Sequence, residues 1–170
     1  IDIINEELTQ ETLGIPAWRD VPTNPSVLGS IALADMPTIK QVFINAPSGW
    51  RVQDLQRRLF VARRRIEKRI NHPDFYICSF SNQTIVYKGL CMPKDLPKFY
   101  LDLADLRMQT AICLFHQRFS TNTQPRWKLA QPFRYLAHNG EINTISGNRA
   151  WARARAYKYR TPLIPDLQTA

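Results

Sequence analysis

Apolar residues at Val52, Leu55, Leu59, Ala62, Ile66 and Ile70 recur every three or four positions, so residues 51–70 are predicted to form a helix with one core-facing stripe. Arginines and lysines crowd its remaining surface, and His72-Pro73 stops it. Upstream, residues 1–20 read as a short acidic helix closing at Gly14, with a turn through Ile15-Pro16. A loop punctuated by Pro22 and Pro25 follows from Trp18. Residues 36–44 end in an apolar run suited to a strand, which Ala46-Pro47-Ser48-Gly49 breaks. Residues 75–80 and 84–87, joined by Ser81-Asn82-Gln83, predict a hairpin. Residues 95–105 alternate Leu with polar positions around Pro97 and predict an irregular or weakly helical stretch. Residues 110–116 read as a buried strand, followed by a Pro- and Gln-rich connection. Residues 133–138 read as a strand running into the turn Asn139-Gly140. From 146 to 159 the pattern is helical again, with Ala150, Trp151, Ala154 and Tyr157 as core contacts. Strands and helices in mixed order predict an α+β domain.

Composition changes this picture little. The 170 residues suit one domain, and 44% apolar with 22% charged residues excludes bulk disorder. No apolar run approaches the roughly 20 residues of a membrane-spanning helix. The segment Ile1-Asp2-Ile3-Ile4-Asn5-Glu6-Glu7 lacks the basic and apolar regions of a signal peptide. Cys78, Cys91 and Cys113 match no metal-ligand spacing, which points to a reduced, intracellular compartment and no metal site.

Charge matters more. The formal net charge is +9, which favours acidic partners, nucleic acid above all. The basic residues concentrate at 57–69 and 149–160, both helical stretches with an apolar stripe that needs a solvated opposite face. A solvated surface, or docking to other domains, explains them better than nucleic acid.

Two segments at the ends of predicted strands could do chemistry. His116-Gln117-Arg118-Phe119-Ser120-Thr121 delivers an arginine and two hydroxyls to one rim, and a guanidinium fork suits a carboxylate. Taken alone, a surface arginine in an ordinary loop is the plainer reading. Ala137-His138-Asn139-Gly140-Glu141-Ile142-Asn143 is by itself a hairpin turn. Its alternative is a pair of donors, the Asn139 amide and the Gly140 N–H, aimed at one point as in an oxyanion hole.

Together the segments carry a resemblance. Cys113 to Thr123 runs into Leu129-Ala130-Gln131-Pro132-Phe133-Arg134, then Leu136-Ala137-His138-Asn139-Gly140-Glu141-Ile142-Asn143-Thr144 and Gly147-Asn148-Arg149. This series resembles the glutaminase (class II glutamine amidotransferase) domain of glutamate synthases. Trp18-Arg19-Asp20-Val21-Pro22-Thr23, Ala62-Arg63-Arg64-Arg65-Ile66-Glu67-Lys68, Asp74-Phe75-Tyr76-Ile77-Cys78-Ser79 and Val86-Tyr87-Lys88-Gly89 extend it over nearly the whole chain. The resemblance implies that residues 1–170 belong to one glutaminase domain, part of a four-layer αββα sandwich of the N-terminal-nucleophile hydrolase type. It implies that Arg118 holds the α-carboxylate of L-glutamine, with Phe119 and Thr121 shaping that pocket. Asn139 and Gly140 would form the oxyanion hole. An N-terminal cysteine would attack the side-chain amide, its own α-amino group serving as base; ammonia leaves from a thioester, and water releases glutamate. In the intact enzyme the ammonia passes to 2-oxoglutarate in a synthase half with FMN and an iron–sulfur cluster. That half would be fed by ferredoxin or NAD(P)H, in bacterial cytoplasm or plastid stroma.

The sequence departs from the family at two points: its first residue, and the acidic residue that the family places downstream of the last motif for the substrate α-amino group, whose motif the surroundings of Asp166 do not match. Residue 1 is Ile1, and none of the three cysteines carries a free α-amino group. Both ends are therefore expected to be cut, this stretch alone is expected to be inactive, and FMN and the cluster are not expected to bind it. The alternative is a non-catalytic relative that keeps the fold as a binding or scaffold module.

Overall fold

A computed structural model of the chain describes residues 1–119, 121–134 and 144–165. The chain divides into two compact units, Ile1–Arg134 and Tyr135–Ala170. The first runs α1 (Asp2–Gln10), β1 (Gly14–Asp20), α2 (Ser30–Ala34), β2 (Lys40–Asn45), α3 (Val52–Ile70) and α4 (Leu96–Phe99). Single turns of 3-10 helix at Pro93–Asp95 and Leu101–Ala104 flank α4, so the weakly helical reading of that stretch holds. The content is α+β, and among the described residues the sheet is the antiparallel pair β1–β2.

Helix α3 forms where its period predicts, and Leu59, Ala62 and Ile66 are buried. Asp54 in its first turn and Lys68 and Arg69 in its last complement the helix dipole. Asn71, left-handed at φ 41°, ends it just before His72-Pro73. The buried stripe meets Leu8 and Leu13, with Ile15, Val42 and Ile44 packed around them. Trp18 fixes β1 to α1 by donating its indole N–H to Asn5 Oδ1 at 2.9 Å.

The basic face of α3 is partly solvated, as expected for residues 57–69, and partly committed to ion pairs within the chain. Glu11, its side chain 4% exposed, accepts from Arg58 at 2.9 Å and Arg65 at 2.7 Å. Arg69 reaches Glu7 and Glu6, each at 2.7 Å. A carboxylate withdrawn from water needs such partners, so the acidic α1 and the basic α3 neutralise each other where they pack.

Several expected elements are replaced. Ile15-Pro16 is not a turn and Trp18–Asp20 is not loop; all lie in β1, whose register breaks between Gly14 and Ala17. Proline cannot donate to a ladder, and the bulge accommodates it. Residues 75–80 and 84–87 reverse direction without forming strands. There the Ser79 hydroxyl accepts from Val86 N–H, and the Ser81 hydroxyl from Gln83 and Thr84, so side chains take donors that a ladder would use. Residues 110–116 are neither strand nor buried: Ile112, Leu114 and Phe115 are at least 80% exposed. Alternation supplies an apolar face, but a strand also needs a neighbour, and none pairs with this run among the described residues. Residues 133 and 134 are likewise not strand, and 135–138 lie outside the described residues.

A second cluster joins Ala32, Phe99, Tyr100 and Trp127. The Phe99 ring is fully buried, 4.7 Å from Tyr100 and 5.6 Å from Trp127. Gly89 allows this packing, because a Cβ there would lie 3.0 Å from Trp127 Cζ3.

Arg19 ties the sheet to this cluster. Its guanidinium grips Asp102 with two hydrogen bonds, 2.5 and 3.1 Å, and donates from Nε to Gln41 at 2.7 Å. The Tyr87 hydroxyl also donates to Asp102, at 2.9 Å. The Arg19 hydrogen bond, with help from Tyr87, holds the Asp102 carboxyl below the usual carboxylate range. A depressed folded-state pKa contributes stability above the unfolded value, about 3.9, that is lost as pH falls through the folded one. Denaturant melts should therefore show wild type more stable than Asp102→Asn at pH 7. The gap should shrink progressively below about pH 4; a pH-independent gap would remove the ion pair from the account.

In the second unit, α5 (Ser146–Ala154) and a 3-10 turn at Ala156–Tyr159 divide the predicted helix. Its intended core contacts are solvent-facing: Ala150 and Ala154 are exposed, Trp151 is 64% and Tyr157 66% exposed. Helical period groups these residues on a face, but burial requires a second layer, and the described residues of this unit provide none.

Candidate active site

Arg118, Phe119 and Thr121 lie on the long excursion between Tyr100 and Trp127, none of whose described residues is buried. Arg118 and Thr121 are exposed and flank a half-buried Phe119. Among the described residues no carboxylate pairs with Arg118. Asn139 and Gly140, the expected oxyanion donors, lie outside the described residues, as does Ser120.

The cysteines differ from one another. Cys78 is half-buried, and burial pushes its thiol up. Burial and the nearby Asp95 push the Cys91 thiol up as well. Cys113 is exposed, because the buried strand expected over residues 110–116 does not form. Among the described residues no three His, Cys, Asp or Glu side chains are grouped to hold a metal, so no iron–sulfur ligand set is found there.

Sequence reasoning missed Lys88. It is 6% exposed, and its ammonium donates to the carbonyls of Lys128 and Ala130, both at 2.9 Å. The rings of Tyr76 and Phe133 stand 4.7 and 5.5 Å from Nζ. No carboxylate pairs with it among the described residues, and burial lowers its pKa. A lysine beside a glycine at the end of a predicted strand carries no sequence signal for burial. Only the aromatic walls and the two carbonyls make the position tenable.

The sequence matches the family Glutamine amidotransferases class-II over residues 1–170. The chain belongs to that family. This amidotransferase chain is 47% identical to a ferredoxin-dependent glutamate synthase 2 of Synechocystis sp. over 152 residues, 89% of the chain and 10% of that protein. It is 42% identical to the chloroplastic ferredoxin-dependent glutamate synthase of Spinacia oleracea over 165 residues, 95% of the chain and 10% of the relative. The NADPH glutamate synthase large chain of Azospirillum brasilense is 42% identical over 163 residues, 94% of the chain and 11% of the relative. The amidotransferase chain thus spans about a tenth of these relatives' length. Among the described residues no helix is long and apolar enough to cross a membrane.

Proposed function

We propose that this chain is the glutamine-binding part of a glutamate synthase glutaminase, residues 1–170 being a fragment of one domain and part of its four-layer αββα sandwich. The observation that carries the reading is the coincidence of a family match over all 170 residues with an exposed arginine, without a carboxylate partner among the described residues, at the motif position for the substrate carboxylate. The Arg118 fork binds the α-carboxylate of glutamine, and Phe119 and Thr121 bound that pocket. The Asn139 amide and the Gly140 N–H donate to the oxygen that gains charge when the side-chain amide is attacked.

The attacking thiolate comes from a cysteine at the amino terminus of the mature protein. Cys78, Cys91 and Cys113 are interior to the chain and have no α-amino group to serve as base. Released ammonia is passed to 2-oxoglutarate by synthase domains of the same polypeptide. FMN and an iron–sulfur cluster would be held by those domains, with ferredoxin or NAD(P)H as electron donor.

Ammonia release from glutamine by the full-length protein tests the reading; glutamine binding without release would make it a binding module. Arg118→Lys keeps the charge and loses the fork. Its KM for glutamine should rise about 10-fold with kcat little changed. An unchanged KM would take Arg118 out of the carboxylate site.

A further inference from the structure

Among the described residues, the excursion that carries Arg118 is buried only where it begins and ends. Between Tyr100 and Trp127 no described residue is buried, whereas Tyr100 is 3% and Trp127 4% exposed. Lys88 touches both ends. Its carbonyl accepts the Tyr100 hydroxyl at 2.7 Å, and its ammonium spans the Lys128 and Ala130 carbonyls just beyond Trp127. The indole of Trp127, donating to the Ala32 carbonyl at 3.0 Å, completes the second anchor.

An ammonium taken out of water costs stability unless its donors are satisfied. A methionine or leucine would fill the same volume without that cost, so packing alone does not call for a lysine here. What lysine adds is donors that join residues 40 and 42 positions away in the chain.

We infer that Lys88 is a positioning residue for the glutamine site: by joining both buried ends of the Arg118 excursion, it sets where the guanidinium meets the substrate α-carboxylate. This rests on the reading of Arg118 given above. That contact is present in ground state and transition state alike, so displacing it weakens substrate binding more than turnover. A purely structural role behaves differently. Loss of folded protein lowers the apparent kcat and leaves KM alone.

Lys88→Met in the full-length protein separates the two. KM for glutamine should rise at least about 10-fold, and the inhibition constant for glutamate, which carries the same carboxylate, should rise with it. Turnover per folded enzyme should stay within about threefold. Lys88→Arg, which keeps charge and donors, should bring KM back to within about threefold of wild type. Amide hydrogen exchange should quicken at residues 127–130 and stay unchanged in α3. A KM within twofold of wild type in Lys88→Met, or a fall in kcat at constant KM, overturns the inference. So does exchange that rises equally in α3.

Should Lys88→Met fail to accumulate folded, Lys88→Gln keeps a polar tip but is too short and uncharged to hold both carbonyls. Its KM should rise about threefold, and an unchanged KM overturns the inference. A wild-type protein that releases no ammonia overturns both this and the proposed function. Raised KM in Arg118→Lys beside normal KM in Lys88→Met overturns this one alone.

Discussion

Replacing Asn139 with alanine is expected to lower kcat for glutamine hydrolysis by about 100- to 1,000-fold while KM moves little. The asymmetry follows from when the donor acts. In bound glutamine the side-chain carbonyl is neutral, and a neutral hydrogen bond is readily replaced by water at modest net cost. In the tetrahedral intermediate that oxygen carries a full charge, and a donor already held in place stabilises it without reorganisation. The loss therefore falls on the transition state, and kcat and kcat/KM should drop together. The Gly140 N–H would remain, which keeps the effect short of complete inactivation. Steady-state glutamate release, normalised to sites titrated with a covalent glutamine analogue, measures this directly. A raised KM with normal kcat would show that Asn139 binds substrate and does not stabilise the intermediate.

Phe99→Ala should cost about 3–5 kcal/mol of folding stability, a large part of the 5–15 kcal/mol typical of a domain. Phe99 is fully buried and touches both rings that close the excursion carrying Arg118. Removing it deletes apolar burial and two aromatic contacts, and leaves a cavity that Tyr100 and Trp127 can fill only by moving. Phe99→Leu keeps most of the volume and should cost roughly 1–1.5 kcal/mol. Urea melts of the two variants test the ratio as well as the size. A cost below about 1 kcal/mol for alanine would mean that the second cluster is not close-packed.

The two clusters were unequally legible in the sequence. Leu59, Ala62 and Ile66 announce themselves by helical spacing, and they form the first core. Phe99 ends the four-residue α4 and Trp127 opens a single turn of 3-10 helix, both too short to show a period; they lie 28 residues apart, and their contact has no local signature. The same limit explains the arginines of α3. Their number marks a strongly basic helix face, but only the packing of α1 reveals that Arg58, Arg65 and Arg69 meet buried or half-exposed carboxylates.

Strand expectations failed for a related reason. Residues 75–80, 84–87 and 110–116 have the composition of strands, yet pairing requires a second backbone in register. Serine hydroxyls take the available donors in the first two, and the third has no ladder partner among the described residues.

Helix α3 and the α+β content follow from the sequence by itself, because helical hydrogen bonds are local in the chain, and short local motifs are what propose Arg118, Asn139 and Gly140 as site residues. The burial of Lys88, the pairing of Glu11 and the joining of Tyr100 to Trp127 through one lysine were decided by tertiary structure alone. Each depends on residues far apart in sequence that meet only when the chain closes on itself, and closure is what a linear pattern does not encode.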